Sequence, residues 1–250
     1  MGSPSIHIPP ALAQALRSAR HIAVLTGAGV SAESGVPTFR DAQTGLWAKY
    51  DLEELATPQA FQRSPRLVWE WYAWRRELVA AARPNPGHYA LVEMENRAPN
   101  FTLITQNVDQ LHQQAGSRRV IELHGSLWRT KCSREGRVVE SWPETGDVPP
   151  RCPHCSDLLR PDVVWFGEAL PERELMEAFA AAQQCDVFIA AGTSAIVQPA
   201  ASLPLLAARS GAVLVEVNPQ ETPLTGEADY FLQGPSGSVL PALVQAAWGV

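Results

Sequence analysis

Short apolar, β-leaning runs recur along the chain at 22–26, 101–105, 120–123, 187–191 and 213–217. Stretches with helical spacing of apolar positions lie between them, at 10–19, 86–97, 170–184 and 199–209. That alternation predicts an α/β fold, a Rossmann-like parallel sheet with helices on both faces. Ligands of such sheets gather beyond the carboxyl ends of the strands. The polar signals sit at those ends: Gly27-Ala28-Gly29, Gln106-Asn107-Val108-Asp109, His124-Gly125, Gly192-Thr193-Ser194 and Asn218. Two segments break the alternation. Residues 45–85 read as a helical insertion rich in tryptophan, and residues 129–162, with cysteines, prolines and little periodicity, as a small satellite module. The Rossmann-like domain is then expected from 1–44, 86–128 and 163–250.

Composition narrows the function classes. The chain is 46% hydrophobic and 18% charged, with a net charge of −6, an ordinary globular balance. No whole-chain basic field draws it to nucleic acid or to an anionic membrane, so neither is an expected partner. No apolar stretch approaches membrane-spanning length, and the first residues lack the layout of a secretion signal. Four cysteines are too few for a disulfide scaffold at this length. A reducing, cytoplasmic setting is the expectation. Oligomeric state is not readable from the sequence.

The densest chemistry follows the first strand. An apolar run leading straight into Gly27-x-Gly29-x-x-Ala32 suits a nucleotide diphosphate, because glycines permit a tight turn and a following helix offers N–H groups. The alternative is a glycine-rich turn that binds nothing. The loop then runs on, punctuated by glycine and proline, to Phe39-Arg40-Asp41, too irregular for a plain Rossmann crossover. A lone histidine is more often structural than catalytic, but His124 ends a strand aimed at the same crevice. Asn107 and Asp109 can bind an amide or ribose hydroxyls, or simply build a turn.

In order and spacing, Gly27 to Asp41, Thr105-Gln-Asn-Val-Asp109, Glu122-Leu-His-Gly125 and Gly192-Thr-Ser194 resemble the sirtuin motifs, across nearly the whole chain. The resemblance implies that NAD is a consumed co-substrate. The acyl oxygen of a modified lysine attacks the nicotinamide ribose and nicotinamide leaves. His124 then acts as general base on a ribose hydroxyl, and water releases lysine and O-acyl-ADP-ribose. By the same implication Asn107 and Asp109 line the nicotinamide pocket and Phe39 shields the cleaved sugar. Gly27, Ala28, Gly29, Arg40, Gln106, Gly192, Thr193, Ser194, Asn218 and Ser236 hold the rest of NAD.

Ser64-Pro65 opens a helix expected to run from Arg66 to about Ala82, with Ser64 as its cap. On a helical wheel Arg66, Glu70 and Glu77 share one side. Leu67, Val68, Trp71, Tyr72, Leu78 and Val79 share the other, with Arg75 among them. An arginine on an apolar face snorkels to the surface, pairs with an internal carboxylate, or awaits a ligand. Tyr72-x-x-Arg75 resembles the acyl pocket of the sirtuin branch that removes succinyl, malonyl and glutaryl groups, which implies that Arg75 pairs with the acyl carboxylate and Tyr72 donates its hydroxyl. The alternatives are a deacetylase with Arg75 in an internal salt bridge and an NAD-sensing module without turnover.

Val163 to Glu168 reads either as a core strand or, by the resemblance, as the segment whose Val164, Trp165 and Phe166 pair edge-on with an extended acyl-lysine peptide. The family's satellite module implies a structural zinc on two Cys-x-x-Cys pairs. Here Cys152 and Cys155 form one pair, while Cys132 stands without its second cysteine and Glu135 occupies that place. Glu135 or His154 could supply the fourth ligand, or the metal has been lost. Cys185, ahead of a strand, is expected to be merely buried.

Overall fold

The computed structural model describes residues 6–37 and 55–249. Phe39 and Arg40 lie outside the described residues. The apolar runs become the strands of one sheet: β1 (His21–Thr26), β2 (Asn100–Thr105), β3 (Val120–Glu122), β6 (Val187–Ala191), β7 (Val213–Asn218) and β8 (Tyr230–Gln233). All neighbours pair in parallel, in the order β3-β2-β1-β6-β7-β8. The helices on this sheet are α1 (Pro10–Ser18), α2 (Gly29–Ala32), α5 (Pro86–Arg97), α6 (Leu111–Ala115), α7 (Glu172–Gln184), α8 (Leu203–Arg209) and α9 (Ser236–Trp248).

Strand periodicity sorts the core. Ile22, Val24, Val187 and Ile189 face a cluster closed by α1, α5 and α9, whereas Ala23, Leu25, Phe188 and Ala190 face one closed by α7 and α8. Apolar residues on both faces explain why these strands read as unbroken hydrophobic runs. Cys185 is buried in the second cluster.

From β1 the chain crosses over to β2 on one side, and β6 lies on the other. The gap between the carboxyl ends of β1 and β6 is therefore the topological switch point of a doubly wound sheet, where a crevice opens.

The two insertions pack together beside that crevice. The first holds α3 (Pro58–Arg63) and α4 (Pro65–Ala81), and the second is framed by the antiparallel pair β4 (Gly125–Cys132) and β5 (Leu159–Val163). Phe61, Val68, Trp71, Tyr72 and Val79 share a core with Leu127, Val163 and Trp165. A smaller cluster of Cys132, Val139, Cys152 and Leu159 packs on Trp69 of α4.

Several elements differ from expectation. Neither β8 nor α9 is among the expected elements; Gly234, Pro235 and an internal Pro241 interrupt the pattern there. The helix expected over 199–209 is a 3-10 turn at Ala200–Ser202 followed by α8, because Pro204 is tolerated only in the first turn of an α-helix. Ser64 does precede α4, but its hydroxyl makes no capping bond. Leu78, expected on the buried side of α4, is 40% exposed. The run from Val163 to Glu168 is not a strand beyond Val163, where β5 ends.

Candidate active site

The glycines at the switch point are required by the protein's own backbone. A Cβ on Gly27 would stand 2.7 Å from the Gly192 carbonyl oxygen, and one on Gly29 would stand 2.8 Å from Gly192 Cα. Gly192 has φ +59°, and its Cβ would meet the Val30 amide nitrogen. The Gly29 N–H donates to the Gly192 carbonyl at 2.9 Å, and the Gly192 N–H to Val217 at 2.9 Å. The loops after β1 and β6 thus touch backbone to backbone, which only glycine allows. Ala28 lies half-buried beside them and Ser194 is exposed.

The loop after β2 is tied into the same point. Asn107 Nδ2 donates to the Gly27 carbonyl at 3.1 Å and to Ser31 Oγ at 3.2 Å. Ser31 Oγ donates to Asp109 Oδ2 at 2.7 Å, and the Leu111 N–H donates to Asp109 Oδ1 at 2.9 Å. Gln106 Nε2 reaches Thr193 Oγ1 at 3.0 Å. Burial pushes the Asp109 carboxyl up from its ordinary range, against the pull of these hydrogen bonds and of Arg75. Gln110, at φ 63°, and Ala195, at φ 53°, hold left-handed conformations in two of these loops, a strain that accumulates where geometry is fixed for function.

His124 Nδ1 lies 3.0 Å from the Gln106 carbonyl oxygen. A carbonyl can only accept, so Nδ1 carries the proton and Nε2 presents its lone pair. Burial, outweighing that hydrogen bond, lowers the ring's pKa from 6.5. The ring is therefore neutral at physiological pH and has the tautomer a general base requires.

A buried polar chain supports these loops from within the core. Thr26 Oγ1 donates to Thr105 Oγ1 at 2.8 Å, and Thr105 Oγ1 also accepts the Asn107 N–H at 3.0 Å. With its own proton spent, Thr26 Oγ1 accepts from His112 Nε2 at 2.9 Å. The His88 ring lies 4.9 Å from that of His112, and its Nδ1 accepts the Asn85 N–H. Burial lowers His88 to about 4 and His112 to about 3. The sequence assigns no role of their own to Ser31, Thr26, Thr105 and His112, although Ser31 and Thr105 lie within its motifs, because small hydroxyls and buried histidines carry no distinctive signal.

Tyr72 and Arg75 sit one turn apart on α4, both buried, Arg75 at 8% exposure. The Arg75 guanidinium lies 5.1 Å from the Trp71 ring centroid. Burial lowers its pKa, opposed by Tyr72 and Asp109. Arg75 also lines a small cleft with Val36, Pro37, Leu78 and Val79. Val108, between Asn107 and Asp109, packs against the cluster that holds Tyr72. The loop after β2 and the α4 face that carries Tyr72 therefore pack directly on each other.

The run after β5 spends its amides within the protein. Val164 N–H donates to the His124 carbonyl at 2.9 Å, Phe166 N–H to the Ala56 carbonyl at 3.0 Å, and Trp165 N–H to Glu168 Oε2 at 2.8 Å. The Trp165 carbonyl in turn accepts the Glu168 N–H at 3.0 Å. Asn218, half-buried at the end of β7, donates to the Gln220 carbonyl at 2.9 Å, and its own carbonyl accepts the Gly234 N–H at 3.1 Å. Ser236 is buried at the start of α9, its hydroxyl without a hydrogen-bond partner among the described residues.

In the satellite module, donor atoms of Cys132, Glu135, Cys152 and Cys155 all lie within 4.8 Å of one another. His154 is not part of that group. The Glu135 N–H points at Cys132 Sγ at 3.4 Å, and amides of the Cys152–Cys155 turn donate to Cys152. Three thiols and a carboxylate gathered this closely suit zinc. Among the described residues, no helix is long and apolar enough to cross a membrane.

The sequence profile of the Sir2 family matches residues 27–199. A curated protein called NAD-dependent protein deacylase 2, from Pyrobaculum aerophilum, is 53% identical over 234 residues, covering 94% of each chain. A solved Sir2 homologue in complex with NAD superposes with a TM-score of 0.89 at 50% identity, over 98% of this chain and 96% of that one. A Sir2 protein bound to a myristoylated histone peptide matches with a TM-score of 0.75 at 37% identity, covering 95% of each. By its family profile, by sequence identity along almost its full length and by its fold, the chain belongs to the Sir2 family, the sirtuins.

Proposed function

We propose that this sirtuin is an NAD-dependent protein-lysine deacylase that prefers acyl groups ending in a carboxylate, such as succinyl, malonyl and glutaryl. The observation that carries the preference is the buried Arg75 guanidinium one helical turn from the buried Tyr72 hydroxyl. Arginine presents a planar fork matched to a carboxylate, and a charge-assisted bond in a dry pocket exceeds one in water.

Bound NAD supplies an electrophilic ribose carbon once its nicotinamide bond breaks, and the acyl-lysine oxygen takes nicotinamide's place. Its phosphates would lie against the loop of Gly27 and Gly29, which the close backbone crossing with Gly192 holds in place. Asn107 and Asp109 line the nicotinamide end. They are held there before NAD arrives, because Ser31, Gly27 and Leu111 already bind them. His124 takes a ribose-hydroxyl proton at Nε2. Gln106, Thr193, Ser194, Asn218 and Ser236 hold the rest of the dinucleotide, with Ser236 bringing a buried, unspent hydroxyl. Phe39 and Arg40 complete the site by the family pattern. Cys132, Cys152, Cys155 and Glu135 would hold zinc as a closed, four-ligand structural site, apart from the chemistry.

A second reading has its own observation. Asp109 acts electrostatically on Arg75, and a guanidinium committed to Asp109 would leave a deacetylase. Matched peptides carrying succinyl-lysine or acetyl-lysine, each with and without NAD, separate the two. A higher kcat/KM for succinyl, with free lysine and O-succinyl-ADP-ribose by mass spectrometry, is expected. Preference for acetyl would return Arg75 to a structural role, and absence of any NAD-dependent product would leave a sensor.

A further inference from the structure

The Tyr72 hydroxyl is set up by its neighbour. Trp165 Nε1 lies 2.9 Å from Tyr72 Oη, and both groups are buried. An indole N–H can only donate, so the phenol oxygen accepts and its own proton is not used in that bond. Among the described residues no acceptor takes that proton. Burial raises the phenol's pKa to about 12, so it remains a neutral donor throughout the working range of pH. A buried donor left unspent is costly unless a ligand completes it.

Trp165 is in turn clamped. The Arg160 guanidinium lies 3.2 Å over its ring. Arg160 Nη1 and Nη2 bind Glu168 Oε1 and Oε2 at 2.6 and 2.9 Å, a bidentate pair, and Nη2 also reaches the Val163 carbonyl at 2.8 Å. Glu168 Oε2 accepts the Trp165 backbone N–H as well. One carboxylate therefore fixes the residue's backbone and, through Arg160, the plane of its ring. Fixing the plane fixes the direction of Nε1. Burial pushes the Glu168 carboxyl up, but the bonds from Arg160 and Trp165 outweigh it and hold it below its ordinary value.

We infer that Trp165 is a positioning residue for acyl specificity: its clamped indole N–H occupies the Tyr72 oxygen and so directs the Tyr72 proton to the carboxylate of the bound acyl group. The Arg160–Glu168 pair supplies rigidity to this relay. Trp165 acts through Tyr72 and needs no contact of its own with that carboxylate. This rests on the acidic-acyl reading above.

The test is steady-state kinetics on the full-length protein with a succinyl-lysine peptide, for Trp165→Phe, Tyr72→Phe and the double variant. Each single change is expected to raise KM about five- to tenfold, the size of one buried hydrogen bond, with the loss falling on KM rather than kcat. The double variant is expected to lose no more than Tyr72→Phe alone, because both remove one interaction. Additive losses, or a Tyr72→Phe effect with none from Trp165→Phe, would overturn the inference while leaving the acidic-acyl reading in place. If Trp165→Phe lowers the melting temperature enough to obscure kinetics, β-(3-benzothienyl)alanine at position 165 keeps ring size and replaces the N–H with sulfur. The same KM rise is expected of it, and a wild-type KM would again overturn the relay. A wild-type protein with no succinyl preference would instead sink the reading underneath.

Discussion

The strand-end loops and the α4–Trp165 region are built on opposite patterns of hydrogen bonding. Around Gly27, Asn107 and Asp109, donors and acceptors are largely satisfied by the protein itself, in a chain from His112 through Thr26 and Thr105 to Asn107. Along α4 and Trp165, the framework is aromatic and apolar, and among the described residues no acceptor takes the Tyr72 proton. The first arrangement fixes geometry before a ligand arrives, which suits chemistry shared by every substrate. The second leaves polar capacity for one kind of ligand, which suits selection. On the proposed acidic-acyl reading, rigidity and selectivity fall to different elements.

The largest effect that can break this division is at His124. His124→Ala should lower turnover by about a thousandfold, the scale of a positioned general base, while NAD binding by calorimetry persists. Since burial lowers the His124 pKa, the ring is neutral above pH 6.5. The acidic limb of kcat/KM should therefore lie below pH 6.5, and a limb above it would remove His124 as the base.

Arg75→Met comes next. Loss of a charge-assisted fork should reduce desuccinylation about a hundredfold more than deacetylation, read as the ratio of kcat/KM values. Equal losses would make α4 a structural wall and erase the contrast between the two regions.

The histidine pair behind the strand ends predicts an acid limit to stability. His88 and His112 have folded pKa values of about 4 and about 3, below an unfolded value near 6.5. The unfolded chain therefore binds protons that the folded one refuses. Stability is full above pH 6.5 and drains as pH falls toward 4, by about 1.4 kcal/mol per pH unit for each histidine. Urea titrations between pH 7 and 5 measure it. His112→Phe should flatten that slope by about half.

The smallest effect belongs to neither region. Glu135→Ala should weaken zinc binding about tenfold in competition with a chromophoric chelator and lower the melting temperature by a few degrees. Unchanged affinity would leave only the three cysteines as ligands.

Much of the fold was readable because parallel strands buried on both faces advertise themselves as apolar runs, as β1, β6 and β7 do. β8 and α9 were hidden by prolines and glycines that the tertiary structure tolerates at element ends and in one helix interior. Within the site, residues with distinctive chemistry, such as His124, Asn107 and Asp109, could be picked out by their position after strands. Ser31, Thr105 and His112 could not, because their importance lies only in what they touch.

The sequence by itself determined the parallel α/β architecture, the glycine-rich switch point and the membership of the Sir2 family, since each is written in local pattern and spacing. Tertiary structure alone decided three further matters. It brought Gly27 and Gly29 against Gly192, across more than 160 positions of chain. It grouped Glu135 rather than His154 with the cysteines. It set Trp165 against Tyr72, so that a phenol from one insertion takes its orientation from an indole beyond the other. Contacts between distant segments depend on how packed elements bring them together, and no local pattern encodes that distance.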